Sequence, residues 1–280
     1  MKHITVIGSG LMGTGIAHVS AQAGYQVTLY DINEEQLQCA RQTIEKNLDK
    51  GIEIKKISEE VKWRALSNLH LTTDLSEAVQ HTDFVIEAVP EILELKIDIF
   101  KKLDKLCRES VILATNTSTM SPTEIGAATN RPHRTIAMHF FNPVYKMKLV
   151  EIIKGLETSD KTLEVTKQVA KKMGKETVTV NEFPGFVTSR MNCVIGNEAM
   201  NMLSEGVASA EDIDKAIKLG LNHPMGPLEL ADLVGLDTRL KNMKYLHKTL
   251  GEKYRPSPIL TKYVKAGRLG SKSGQGFYNY

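Results

Sequence analysis

Near the start of the chain, Gly8-Ser9-Gly10-Leu11-Met12-Gly13 interrupts an apolar stretch. Three closely spaced glycines weaken any regular element, so this run reads as a turn. Its flanks narrow the choice. Ile4 to Gly8 is short, apolar and β-branched, as a buried strand is; Leu11 to Ala23 has helical spacing and stops at Gly24. A GxGxxG turn between a strand and a helix opens a dinucleotide-binding unit; the same glycines in another context would mean little. Gly8 then makes the tight turn, Gly10 lets a pyrophosphate approach the backbone and Gly13 lets the helix pack on the sheet; Ser9, Leu11 and Met12 complete the loop. The helix N-terminus favours the anion. Gln26 to Asp31 is the next strand, and Asp31 stands 18 residues past Gly13. A carboxylate there can accept from both hydroxyls of an adenosine ribose and would repel a 2′-phosphate, so NAD is preferred to NADP. Two alternatives remain open: FAD shares the fingerprint, and Asp31 could instead cap a following helix.

The rest of the first two-thirds continues as alternating strands and helices. Asn33 to about Leu66 is long, charged and broken near Gly51, which predicts two helices in a projecting hairpin. Strands are expected at Leu69 to Thr72, Phe84 to Val89, Val111 to Asn116, Thr135 to Phe140, Leu149 to Ile153 and Thr177 to Val180. Helices are expected at Ile92 to Cys107 and Lys161 to Met173. Such alternation implies an α/β domain with buried strands. At Asn181-Glu182-Phe183-Pro184-Gly185 the pattern changes to helices alone, at Met191 to Ser204, Ala210 to Lys218, Pro227 to Val234 and Thr238 to Leu250. The expected fold is therefore a Rossmann-type dinucleotide-binding domain with a helical-hairpin insertion, residues 1–183, followed by an all-helical domain, residues 184–280.

Composition excludes several classes. Lys plus Arg (36) against Asp plus Glu (33) leaves +3, too little for a general nucleic-acid binder. No apolar run approaches the ~18 residues of a membrane span. Cys39, Cys107 and Cys193 are too scattered for a zinc or disulfide framework, which fits a reducing cytoplasm and gives no metal site.

A nicotinamide enzyme acting on an alcohol needs a base for the hydroxyl proton, and histidine, with a pKa of ~6.5, suits the task. Of eight histidines, His139 ends a predicted strand, where such sheets bind ligands. Glu151, on the next strand, could fix the tautomer of its ring. Position alone leaves a purely structural His139 equally open. Asn116-Thr117-Ser118-Thr119 follows another strand, and Ser118 could hydrogen-bond the reacting oxygen; a helix cap is the competing use of such residues.

Gly8 to Gly13, Asn116-Thr117-Ser118, His139-Phe140-Phe141-Asn142-Pro143, Leu149-Val150-Glu151, Pro184-Gly185-Phe186 and Asn222-His223-Pro224-Met225-Gly226-Pro227-Leu228 occur in order along the chain. Together they resemble the 3-hydroxyacyl-CoA dehydrogenase family over essentially its whole length, closest to its short bacterial 3-hydroxybutyryl-CoA members. The resemblance implies that His139 is the general base/acid, Glu151 its orienting carboxylate, Ser118 a contact to the substrate oxygen and Asn142 an active-site amide. It implies that Ala88, Val89, Glu91, Lys96 and Asn116 lie near the nicotinamide half of NAD and that Lys272 is brought to the cofactor. It sets the acyl-CoA along the hairpin, where Lys46, Lys50, Lys55 and Lys56 gather, and makes the helical domain a homodimer contact. One position departs. Ser189 stands where the family usually has a substrate-holding asparagine, and a hydroxyl offers one donor against the amide's two. The expected reaction is oxidation of (S)-3-hydroxybutyryl-CoA to acetoacetyl-CoA, or its reverse. A gulonate-type sugar-acid dehydrogenase and a non-catalytic NADH-binding protein are the competing readings.

Overall fold

The computed structural model describes residues 1–280. Its residues fall into two compact units, Met1–Glu182 and Phe183–Tyr280.

The first unit is built on β1 (His3–Ile7), α1 (Leu11–Gln22), β2 (Gln26–Tyr30), α2 (Glu34–Glu53), α3 (Glu59–Ser67), β3 (Leu69–Thr72), α4 (Leu75–Val79), β4 (Phe84–Glu87), α5 (Leu93–Leu106), β5 (Ile112–Thr115), α6 (Pro122–Ala127), β6 (Thr135–Phe140), β7 (Leu149–Lys154), α7 (Asp160–Lys172) and β8 (Glu176–Asn181). The eight strands form one sheet in the order β3-β2-β1-β4-β5-β6-β7-β8. The order reverses between β1 and β4, the switch point at which such sheets bind ligands. Successive side chains alternate faces and both faces are covered, so the central strands are largely apolar. Ile4, Val6, Phe84, Ile86, Ile112 and Ala114 pack into the core under α1, α2 and α7. Ile7, Val85 and Leu113 pack on the opposite face against Phe100, Leu103 and Ile125.

Two features depart from a fully parallel, buried sheet. β6 and β7 are antiparallel, because the eight residues between them are too few for a crossover helix. β8 is one of the two edge strands and is mostly exposed, with only Val180 of its six residues buried.

The predicted hairpin is α2 and α3. Asn33, and not Asp31, caps α2, accepting from the N–H groups of Glu35 and Gln36. At 1.5 Å per residue, the 20-residue α2 is about 30 Å long. Lys55 turns the chain with a positive φ of 55°, and Ser58 caps α3.

The second unit contains α8 (Thr188–Ser204), α9 (Ala210–Gly220), α10 (Pro227–Val234), α11 (Leu236–Leu250) and α12 (Pro258–Lys265). Its core joins Cys193, Met200, Leu228, Leu236, Met243 and Leu260. Its C-terminal segment adds two isolated bridges, Gly270 to Gln275 and Gln275 to Asn279, where the sequence pattern showed no extended backbone. Asp232 anchors this segment by accepting from the N–H groups of Phe277 and Tyr278 at 3.0 and 2.9 Å. No helix is long and apolar enough to cross a membrane.

Candidate active site

The glycine turn connects β1 to α1 at the switch point. Gly8 has a φ of +98°, and a Cβ there would meet the Ala88 carbonyl oxygen at 2.9 Å. A Cβ on Gly13 would lie 1.8 Å from the Gly8 oxygen. These two glycines are required by the turn itself. Gly10 differs: a Cβ on it would meet nothing within 4 Å. The open space before Gly10, at the N-terminus of α1, is the room a pyrophosphate needs. Asp31 closes the turn from β2. Its Oδ2 accepts from the Ser9 N–H and Oγ–H at 2.7 and 2.8 Å, and its Oδ1 accepts from the Asn33 N–H at 3.1 Å. A carboxylate has about four lone-pair sites, so Oδ1 retains capacity for a further donor such as a ribose hydroxyl. The residues thus fit a dinucleotide.

His139 and Glu151 are direct cross-strand partners on β6 and β7. Antiparallel partners project to the same face, and here the His139 Nδ1 lies 2.7 Å from Glu151 Oε2. Glu151 is fully buried and His139 is 8% exposed. A buried carboxylate holds the ring tautomer with the proton on Nδ1, which makes Nε2 the nitrogen for proton transfer. The Phe141 ring lies 4.4 Å away, tilted by 43°, and adds an apolar wall.

The ends of β4, β5 and β6 are tied by polar contacts. Asn116 Oδ1 accepts from the Phe140 N–H at 3.1 Å, fixing the residue after His139. Glu91 Oε1 accepts from the Ser118 N–H at 3.1 Å and from the Thr117 hydroxyl. Ser121, and not the Asn116–Thr119 run, caps α6, so that run is left to shape the rim.

The family model for the 3-hydroxyacyl-CoA dehydrogenase NAD binding domain matches residues 3–183, and that for the 3-hydroxyacyl-CoA dehydrogenase C-terminal domain matches residues 185–280. A probable 3-hydroxybutyryl-CoA dehydrogenase of Bacillus subtilis is 50% identical over 100% of this chain and 98% of its own. The human mitochondrial hydroxyacyl-coenzyme A dehydrogenase is 43% identical, covering 100% and 91%. The crystal structure of (S)-3-hydroxybutyryl-CoA dehydrogenase from Ralstonia eutropha superposes with a TM-score of 0.97 at 43% identity, covering 100% and 99%. The chain belongs to the 3-hydroxyacyl-CoA dehydrogenase family.

In this dehydrogenase the structure brings most of the expected residues of the first unit into one set. Glu151, His139, Asn116, Lys96, Glu91 and Ser118 are linked successively through side chains or adjoining backbone. Asn142 follows on the exposed loop after β6. Ala88 and Val89 follow β4, which ends at Glu87, and lie beside the glycine turn, where the Ala88 N–H donates to the Ile7 carbonyl at 2.8 Å. Lys96 differs from a residue presented to a cofactor. Its side chain is fully buried, 2.8 Å from Glu87 and 3.4 Å from Glu91, and its ammonium also donates to the Asn116 carbonyl at 3.0 Å. It holds the rim from behind. Ser189 and Lys272 belong to the second unit, Ser189 in the first turn of α8. Lys272 is paired with Asp237 at 2.6 Å.

Glu87, which sequence reasoning passed over, is the centre of the rim. Fully buried, it accepts from Lys96, from the Val89 N–H at 2.7 Å and from the Thr115 hydroxyl at 2.6 Å. Burial raises its pKa, and the Lys96 cation opposes that rise. The available signal was a carboxylate closing an otherwise apolar strand, since acids are almost never buried unpaired. Among the hairpin lysines, Lys50 and Lys56 line a groove shared with α1 and the loop before β7. Lys55 instead lines a depression with Ser58 and Arg64, and Lys46 is exposed on α2.

Proposed function

We propose that this chain interconverts (S)-3-hydroxybutyryl-CoA and acetoacetyl-CoA, using NAD rather than NADP, with His139 as general base and acid. The observation that carries the reading is the buried His139–Glu151 pair at the end of β6, on the same strand-end rim as the glycine turn. Bound NAD supplies the hydride acceptor for oxidation of the alcohol, and NADH the donor for the reverse.

The chain's own residues do the rest. Gly8, Ser9, Gly10, Leu11, Met12, Gly13 and Asp31 hold the adenosine and pyrophosphate; Ala88, Val89, Glu91, Asn116, Ser118 and Asn142 face the nicotinamide half, with Lys96 behind them and Lys272 from the second unit. In oxidation, Nε2 of His139 takes the 3-hydroxyl proton as the oxygen becomes a carbonyl. Glu151 stabilises the imidazolium that results. In reduction the imidazolium returns that proton to the forming alkoxide. Ser118 donates to the same oxygen, so charge developing there meets two placed donors. Asn142 and Ser189 hold the acyl part, and Lys50, Lys55 and Lys56 contribute to the CoA end. The helical unit carries exposed Val187, Met191, Leu219 and Leu221, which support a homodimer through it. The three free cysteines support work in a reducing cytoplasm.

The test is a set of initial rates with acetoacetyl-CoA, using NADH and NADPH in parallel, and with gulonate and NAD. Rapid NADH-dependent reduction, slow NADPH use and no gulonate oxidation are expected. Gulonate turnover without acetoacetyl-CoA reduction would overturn the reading.

A further inference from the structure

Six lysines line one groove of about 1010 Å³ in the first unit, against a single acid, Glu53. One wall is the hairpin, with Lys50 and Lys56. The other holds Lys146 and Lys148 from the loop between β6 and β7, and Lys172 from the end of α7. None of these five is ion-paired, whereas Lys62, Lys96, Lys154, Lys167, Lys218 and Lys272 each have a carboxylate partner. Lys172 rests over the Tyr25 ring at 3.9 Å and Lys146 over the Tyr145 ring at 5.9 Å. Unpaired like charges within about one Debye length, ~8–10 Å, repel one another, and a bound polyanion reverses that cost.

Two further observations mark the groove as built. His18 lines it at 3% exposure, and neither ring nitrogen has a hydrogen-bond partner in the protein. A buried polar group of this kind ordinarily has one, and Gln22, also in the groove lining, is the side chain that interacts with it. The sixth lysine, Lys175, donates to the Val144 and Met147 carbonyls and so fastens the loop that carries Tyr145, Lys146 and Lys148. That loop begins two residues after His139, so the far wall and the reacting histidine are carried by one short stretch of chain. Tyr145, 41% exposed, offers a ring face on which a base can stack.

We propose that the far wall, Lys146, Lys148 and Lys172 with His18 and Tyr145, is a specificity element that grips the phosphorylated nucleotide end of the acyl carrier opposite the hairpin. The proposal rests on the acyl-CoA reading and adds that the carrier's phosphates are held from two sides. A hairpin acting alone would leave the far wall without effect on carrier selection.

The experiment compares wild type with Lys146→Glu/Lys172→Glu and the milder Lys146→Gln/Lys172→Gln. Acetoacetyl-CoA, acetoacetyl-dephospho-CoA and acetoacetyl-pantetheine are the substrates, and binding of adenosine 3′,5′-bisphosphate is measured by calorimetry. For the charge-reversed variant, KM for acetoacetyl-CoA rises about tenfold or more with kcat within about twofold, the scale of losing a charge-assisted contact. The dephospho substrate shows a smaller rise and the pantetheine substrate none. The glutamine variant falls between, and adenosine 3′,5′-bisphosphate binding weakens in the same order. An unchanged KM for acetoacetyl-CoA, or an equal rise for the pantetheine thioester, overturns the far wall's role. A wild type that binds adenosine 3′,5′-bisphosphate through these lysines but turns over no acyl-CoA keeps the groove and overturns the acyl-CoA reading instead.

Discussion

Two charged regions of the first unit are built in opposite ways. Behind the ends of β4, β5 and β6 the titratable side chains are paired and mostly buried: His139 with Glu151, Lys96 with Glu87 and the half-buried Glu91. In the groove, five lysines stand in or near solvent with no carboxylate partner. The difference matches what each has to do. Proton transfer needs one nitrogen held in one orientation before substrate arrives, and paired burial supplies that. Holding a flexible polyanion needs field rather than exact placement, and unpaired surface charge supplies it. Mutations at the rim should therefore be large and insensitive to salt, and those in the groove small singly and screened by salt.

The largest effect is expected at the dyad. Glu151→Gln removes the anion that stabilises the imidazolium, and kcat should fall by about 10²–10⁴-fold with little change in KM for NADH. A kcat near wild type in steady-state assays would erase the contrast. Next comes Lys96→Met, which leaves buried Glu87 without its cation. Breaking a buried pair costs about 3–5 kcal/mol, so Tm should drop sharply. Because burial raises the Glu87 pKa, the deficit should shrink as pH falls and the carboxyl takes a proton. Thermal scans across pH 5–8 check this, and a pH-independent deficit would count against it.

Asp31→Ser is intermediate. It removes the carboxylate that would accept from an adenosine ribose and also pins the Ser9 turn. KM for NADH should rise about tenfold and discrimination against NADPH should narrow, on the scale of one charged hydrogen bond. Kinetics with both cofactors read this directly, and unaltered discrimination would rule out Asp31 as the selector.

The smallest effect at neutral pH is expected from His18→Gln in the groove wall. Burial lowers the His18 pKa to about 4, against an opposing interaction with Gln22 and with a smaller push from the Lys175 cation. Between pH 6.5 and 4 the unfolded chain takes up a proton there and the folded chain does not. Stability of the wild type therefore falls as pH falls through that window. His18→Gln should lose this component and match wild type near pH 7.5. Parallel losses in both proteins in denaturant titrations would contradict it.

These contrasts also explain what was legible in the sequence. The strands between residues 84 and 140 were readable to within about two residues at each end, because burial on both faces makes them largely apolar runs. His139 and Glu151 were readable as partners because adjacent strands joined by a short loop must pair antiparallel. Glu87 was not. Its partners Lys96 and Thr115 come from the next helix and the next strand, and no local spacing brings them together. The far wall was hidden for the same reason: Lys146 and Lys172 are separated by all of β7 and α7, and an exposed lysine is ordinary by itself. The hairpin was legible as two helices, but which of its lysines share a groove depended on the turn at Lys55.

The central claim is that His139 moves the proton. Its most direct measurement is His139→Ala, assayed for acetoacetyl-CoA reduction alongside fluorescence titration with NADH. Turnover should fall by about 10²–10⁴-fold, the contribution of a placed general acid–base group, while NADH affinity stays within about twofold. Turnover near wild type with intact NADH binding would contradict the account.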